Sequence, residues 1–246
     1  MILNIAKGIT HIVSMKFITE GDLIIERTPQ ELINWFDYKL NEIQQQEGGK
    51  KALRMREGLC KKMLEELYPL RILAEFQFAN RNDIRLQLVI GNQNYDALII
   101  DRSFSPECRN KLEITQAHEG ENHFFKRLMI QEKGWAPLSG QVIKRGTKNT
   151  GISLDAHLIM RDVEDSLHTQ KNLIGKALER KTKKKYDPNT SLLIMFDDII
   201  ASHVPNAKEI LYQFIQSELG FKPTQFSTLY LVGSSRKICL KLPHQI

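Results

Sequence analysis

The chain has 246 residues, 41% of them hydrophobic and 26% charged, with a formal net charge of +6 and a pI near 9.1. That length suits one large domain, or a domain with a small helical extension, and supplies enough apolar residues for a real core. Three scattered cysteines, Cys60, Cys108 and Cys239, argue against a disulfide framework and a Cys-based metal site, and no apolar run reaches the roughly 18 residues of a membrane span.

The N-terminal MILNIAKGITHIV lacks the regions of a signal peptide, so a reducing cytoplasm is expected. Within residues 1–27, IVSMKFI and DLIIER are the best strand candidates. Thr28-Pro29-Gln30-Glu31 then forms a capping box with Pro at the first helical position. Leu32, Ile33, Trp35, Phe36, Leu40 and Ile43 follow at helical spacing, and Gly48-Gly49 is the stop. A second helix is predicted from Lys50 to Tyr68, with Leu53, Cys60, Met63, Leu64 and Leu67 as its stripe. Pro69 kinks it or starts a new one, and the continuation carries Glu75. Residues 1–68 are thus read as an N-terminal extension, and 69–246 as an α/β core.

Three short β-type runs follow between Arg85 and Ala117: RLQLVIG, NYDALIID and KLEITQA. Asp96 opens the second run. In the third, Glu113 and Thr115 share one face, Ile114 and Gln116 the other. An acidic side chain inside an apolar strand is costly unless it is paired or holds a metal. Two carboxylates at the mouth of a hairpin make an oxygen-rich site suited to Mg²⁺.

A helix is predicted from Glu121 to Lys133, ending at Gly134. Residues 139–151 read as a loop, either a phosphate-tracking segment through Lys144, Arg145 and Lys148 or an ordinary flexible connection. A long helix is predicted from Val163 to Tyr186, its second half loaded with cations that include Lys181 and Lys184. They complement the helix macrodipole or contact phosphates. SLLIMF is a doubly buried strand, Ala207–Leu219 a helix, FSTLYLVG another buried strand, and ICLKL an edge strand. His118 and His123 match no standard zinc spacing and read as exposed or helix-capping residues. No Walker, Gly-x-Ser-x-Gly, His-Glu-x-x-His or Cys-x-x-Cys motif is present.

Asp96 at the head of one strand and Glu113 on the next, over roughly residues 70–235, resemble the PD-(D/E)XK nuclease superfamily. The departure is Thr115, which stands where the family carries its motif Lys. The resemblance implies a mixed central sheet flanked by helices, as in restriction endonucleases, and a Mg²⁺ or Mn²⁺ held by Asp96, Glu113 and the Ile114 carbonyl. It also implies DNA as partner, with a homodimer admitted. Glu75 is then either a third carboxylate or a surface residue of an amphipathic helix. Thr115 and Gln116 complete the candidate catalytic set, and a lysine from another element (Lys144, Lys148 or Lys171) supplies the missing cation. Three readings follow: a metal-dependent DNA endonuclease, a nuclease-like module that binds without cutting, and a structural or immunity-type protein on the same fold.

Overall fold

The computed structural model describes residues 17–147, 151–219 and 226–243. Its centre is a mixed six-stranded sheet in the order β1-β2-β3-β6-β7-β8. The strands are β1 (Ile84–Leu88), β2 (Ala97–Asp101), β3 (Cys108–Ala117), β6 (Thr190–Phe196), β7 (Thr228–Gly233) and β8 (Cys239–Pro243), with β4 (Gly140–Thr147) and β5 (Gly151–Leu158) forming a separate hairpin. The first three strands run as an antiparallel meander. The chain then crosses over to lay β6 parallel to β3 and β7 parallel to β6, and β8 returns antiparallel at the edge.

The two crossovers carry α7 (Val163–Thr182) and α8 (Ala207–Leu219). Both step across the sheet in the same direction, so the right-handed rule for parallel connections puts both helices on one face. There Leu167, Ile174 and Ala177 of α7 and Leu211 and Ile215 of α8 pack with Leu192, Ile194 and Phe196. The other face receives α2 (Pro29–Gln45) and α5 (Tyr68–Phe78). Phe36, Leu70 and Leu73 meet Leu193, Met195 and Ile114 on that side. Every residue of β6 is buried, as a strand covered on both faces requires. Residues before and after position 68 share this second core.

Local chemistry accounts for most boundaries. Thr28 and Glu31 cap α2 reciprocally, Glu31 N donating to Thr28 Oγ1 at 3.2 Å and Thr28 N to Glu31 Oε2 at 2.8 Å. A second such box, Thr19 with Asp22, starts α1 (Glu20–Ile24). The expected DLIIER strand is therefore a helix as far as Ile24, and of that stretch Arg27 makes a bridge with Leu86. Most of IVSMKFI lies outside the described residues. The helix expected from Lys50 to Tyr68 is interrupted. α3 (Gly49–Met55) ends at Arg56, whose φ is 59°, and α4 (Leu59–Lys62) runs through a π turn (Met63–Leu67) into α5. Pro69 has no N–H to offer Glu65 four residues back, and Gln116 Nε2 donates to that carbonyl at 2.7 Å.

The largest correction concerns residues 139–151. Residues 140–147 and Gly151 are not loop but strand, paired in the β4–β5 hairpin from Gly140↔Leu158 to Thr147↔Gly151, while 148–150 lie outside the described residues. Val142 and Leu154 turn inward onto Met129 of α6 (Glu121–Lys133), making a small core of their own. Asn122 pins the hairpin to α6, accepting from Val142 N at 2.9 Å and donating to the Gly140 carbonyl at 3.2 Å. With glycines and cations between them, those two inward residues leave too weak an alternation to read. The helix expected to reach Tyr186 stops at Thr182, before consecutive lysines and the Asp187-Pro188 turn.

Candidate active site

The register Ala97↔Leu112 sets the next position, Asp96, opposite Glu113. Asp96 N donates to the Leu112 carbonyl at 2.9 Å. β2 ends there, so the Ile114 amide has no backbone partner ahead of it, and the Asp96 carboxylate accepts it at 2.8 Å. Within one strand residue, N–H and C=O face the same side, so the Ile114 carbonyl also faces the β2 side of β3. Two carboxylates directly opposed on neighbouring strands repel one another. Burial pushes Asp96 up to about 6, and the charge of Glu113 adds to the rise.

α7 supplies the compensation. Lys181 forms an ion pair with Glu113 Oε1, with side chains 13% and 9% exposed, and Tyr186 Oη donates to the same oxygen at 3.3 Å. Burial, then the Glu113 charge, holds the Tyr186 hydroxyl protonated well above the usual phenol range. Next along the strand, Thr115 Oγ1 accepts Arg180 Nη2 at 2.8 Å. The position where the family resemblance calls for a lysine thus meets a guanidinium from α7, and the lysine ammonium lies one strand step earlier, on Glu113.

The predicted residues divide cleanly. Asp96, Glu113, Ile114 and Thr115 come together. Gln116 lies on the opposite face, where it holds the Glu65 carbonyl, as strand alternation predicted. Glu75 pairs with Arg71 on its own helix and with Arg236 at 3.7 Å. The acid of this helical stretch whose charge bears on Asp96 is Glu66. Lys144 and Arg145 are exposed on β4, with Arg145 paired to Asp155 at 2.6 Å. Lys184 is exposed beyond the end of α7, and Lys148 lies outside the described residues. Lys181, expected at a phosphate-contacting edge, instead turns inward.

Sequence reasoning missed the inward roles of Lys181 and Arg180, which it counted only among the cations of α7, and missed Tyr186 and Glu66 altogether. One signal was available. Leu167, Ile174 and Lys181 recur every seventh residue, so a cation occupies the core-facing stripe of an amphipathic helix. A buried stripe position that carries charge requires an opposite charge across from it.

The donor set beside Asp96 is all oxygen: two carboxylates and one backbone carbonyl. Among the described residues no group of three or more His, Cys, Asp or Glu is placed to hold a metal ion, so the side-chain ligands here are a pair. That pair fits Mg²⁺, which keeps several waters and takes one or two protein carboxylates. Burial and the facing Glu113 both disfavour the charged form of Asp96, a cost that a bound cation would relieve. No family model, no curated protein and no solved structure matches this chain. Its architecture is α/β, a mixed six-stranded sheet between two helical layers, and among the described residues no helix is long and apolar enough to cross a membrane.

Proposed function

We propose that this chain is a metal-dependent nuclease that hydrolyses phosphodiester bonds in DNA. The observation that supports it is the opposed pair Asp96 and Glu113 at the end of β2, with Lys181 of α7 on Glu113. Asp96, Glu113 and the Ile114 carbonyl are the groups that would hold Mg²⁺, which when bound supplies charge neutralisation at a phosphate and a more acidic water. Lys181 supplies a fixed cation where an attacking water develops negative charge, the role left vacant at Thr115. Arg180, anchored on Thr115, presents a guanidinium to a phosphate oxygen beside it. Tyr186 fixes the rotamer of Glu113 without carrying charge.

A second reading is a nuclease-like module that binds nucleic acid or a protein partner without cutting. What favours it is that Lys181 and Tyr186 already satisfy Glu113 Oε1, so the pair is partly neutralised by the protein itself. Titration calorimetry of Mg²⁺ and Mn²⁺ into the wild type, Asp96→Ala and Glu113→Ala, followed by plasmid nicking, separates the two. The nuclease reading expects metal binding and nicking that both substitutions remove. Salt-sensitive DNA binding with no metal binding and no nicking establishes the second reading and ends the first. Metal affinity should also fall as pH drops through about 6, because protons compete for the raised Asp96 carboxylate.

A further inference from the structure

Beyond Glu113 the sheet opens into a cavity of about 490 Å³ at the C-terminal ends of β3 and β6. Gln116 and Ala117 line it from β3, and α6 and α7 close its sides. It begins three residues past Glu113 on the same strand, roughly 10 Å along the sheet. This is the place where open α/β sheets take ligands, outside the carboxyl ends of parallel strands, and the volume is in the small-molecule range.

Its wall carries an imbalance that the fold does not resolve. Arg56 and Arg127 both line the cavity. Arg56 Nε and Nη1 and Arg127 Nε are buried with no hydrogen-bond partner among the described residues. The acid whose charge bears on both is Glu65, whose carboxylate stands 3.9 Å from Arg127. Two half-buried guanidiniums therefore share Glu65 as counter-charge. Burial, and then the charge of Arg127, draws Arg56 down to about 10. The neighbouring histidines add no anion. His118 and His123 stack with ring centroids 5.1 Å apart, and desolvation lowers both imidazoles, His123 to about 4. The two acids on the wall are engaged locally: Glu119 accepts Asn122 Nδ2 at 2.5 Å and Asp197 accepts Ile199 N at 3.0 Å.

The rest of the cavity is apolar, with Leu64, Ile130, Leu173, Met195 and Ile200 among its walls. Gln170 Oε1 is a buried acceptor with no donor among the described residues. We infer that this cavity is a binding site for a small organic anion, a phosphate ester or carboxylate of nucleotide size or less. Arg56 and Arg127 receive its charged group, and the apolar walls receive its body. Arg guanidiniums suit both headgroups because their N–H forks match two oxygens at once.

The test is the thermal midpoint of the full chain with millimolar adenosine monophosphate, 4-hydroxybenzoate or adenosine, followed by calorimetry on any that shifts it. A rise of at least two degrees is expected with one or both anions and none with adenosine. Whichever anion binds identifies phosphate or carboxylate as the headgroup. Arg127→Gln should weaken that binding at least tenfold, and Arg127→Lys should restore part of it. Asp96→Asn should leave it unchanged, which keeps this result independent of the nuclease reading. Arg56→Gln should raise the midpoint of the free protein while abolishing the anion-dependent rise. No shift with either anion, equal shifts with adenosine, or undiminished binding in Arg127→Gln would overturn the inference.

Discussion

Two sets of carboxylates lie at the sheet, fully buried at Asp198 and buried or half-buried at Glu113 and Asp96, and they are stabilised in opposite ways. Asp198, fully buried just after β6, sits beneath the turn that joins β7 to β8. Ser235 N donates to its Oδ1 at 2.6 Å and Ile238 N to its Oδ2 at 3.2 Å. Gly233 makes this fit possible, since a Cβ there would lie 2.0 Å from Asp198 Oδ2. Asp96 has one such amide, from Ile114, and faces a second carboxylate across the strand. Backbone amides make Asp198 a strut. Asp96 and Glu113 instead depend on side chains that reach in from and just beyond α7, the Lys181 ammonium and the Tyr186 hydroxyl on Glu113. A buried acid surrounded by N–H donors reads as structural, whereas one surrounded by like charge reads as a site with a cation still to take.

The sharpest break in that contrast is Asp198→Ala, which strands two buried amides and should cost about 3 kcal/mol, measured as a lower urea midpoint. Gly233→Ala should fall in the same range through the clash. Asp96→Asn should move the other way, because the amide oxygen still accepts Ile114 N while the repulsion disappears. The sign follows from the raised carboxyl. Its contribution to wild-type stability is complete below its unfolded value near 4 and is lost as pH rises through about 6. The advantage of Asp96→Asn should therefore grow from pH 4 to pH 6 and level off above, reaching on the order of 2–3 kcal/mol. A flat difference across that range would show that Asp96 is not under strain.

Lys181→Met should destabilise by about 2 kcal/mol at pH 7, since it leaves Glu113 and Asp96 facing each other uncompensated. Added Mg²⁺ should recover part of that loss in a thermal scan. Glu113→Ala should also destabilise, by orphaning the Lys181 ammonium. The ion pair therefore separates the two carboxylates, whose removal should act on stability with opposite sign. The smallest effect belongs to Glu75→Gln. Its half-exposed pairs with Arg71 and Arg236 are worth about 0.5 kcal/mol after solvent screening, and neither metal binding nor nicking should change.

What the sequence determined by itself was whatever short-range chemistry encodes. The Thr28–Glu31 box and Gly134 mark the ends of α2 and α6, and the apolar run of β6 announces a strand buried on both faces. The alternation in β3 was enough to put Glu113 and Thr115 on one side and Gln116 on the other, and the spacing of two β runs was enough to pair Asp96 with Glu113. Where local signals conflicted or were thin, the reading failed. The Thr19–Asp22 box overrode the β-branched character of DLIIER, and two inward residues were too few to reveal the β4–β5 hairpin. Tertiary structure alone decided which cation meets the carboxylates. Lys181 lies 68 positions from Glu113, and only the crossover that lays α7 against β3 and β6 brings it there. Side-chain charge is written in the sequence, but its partner is chosen by packing, and packing depends on contacts that no local pattern carries.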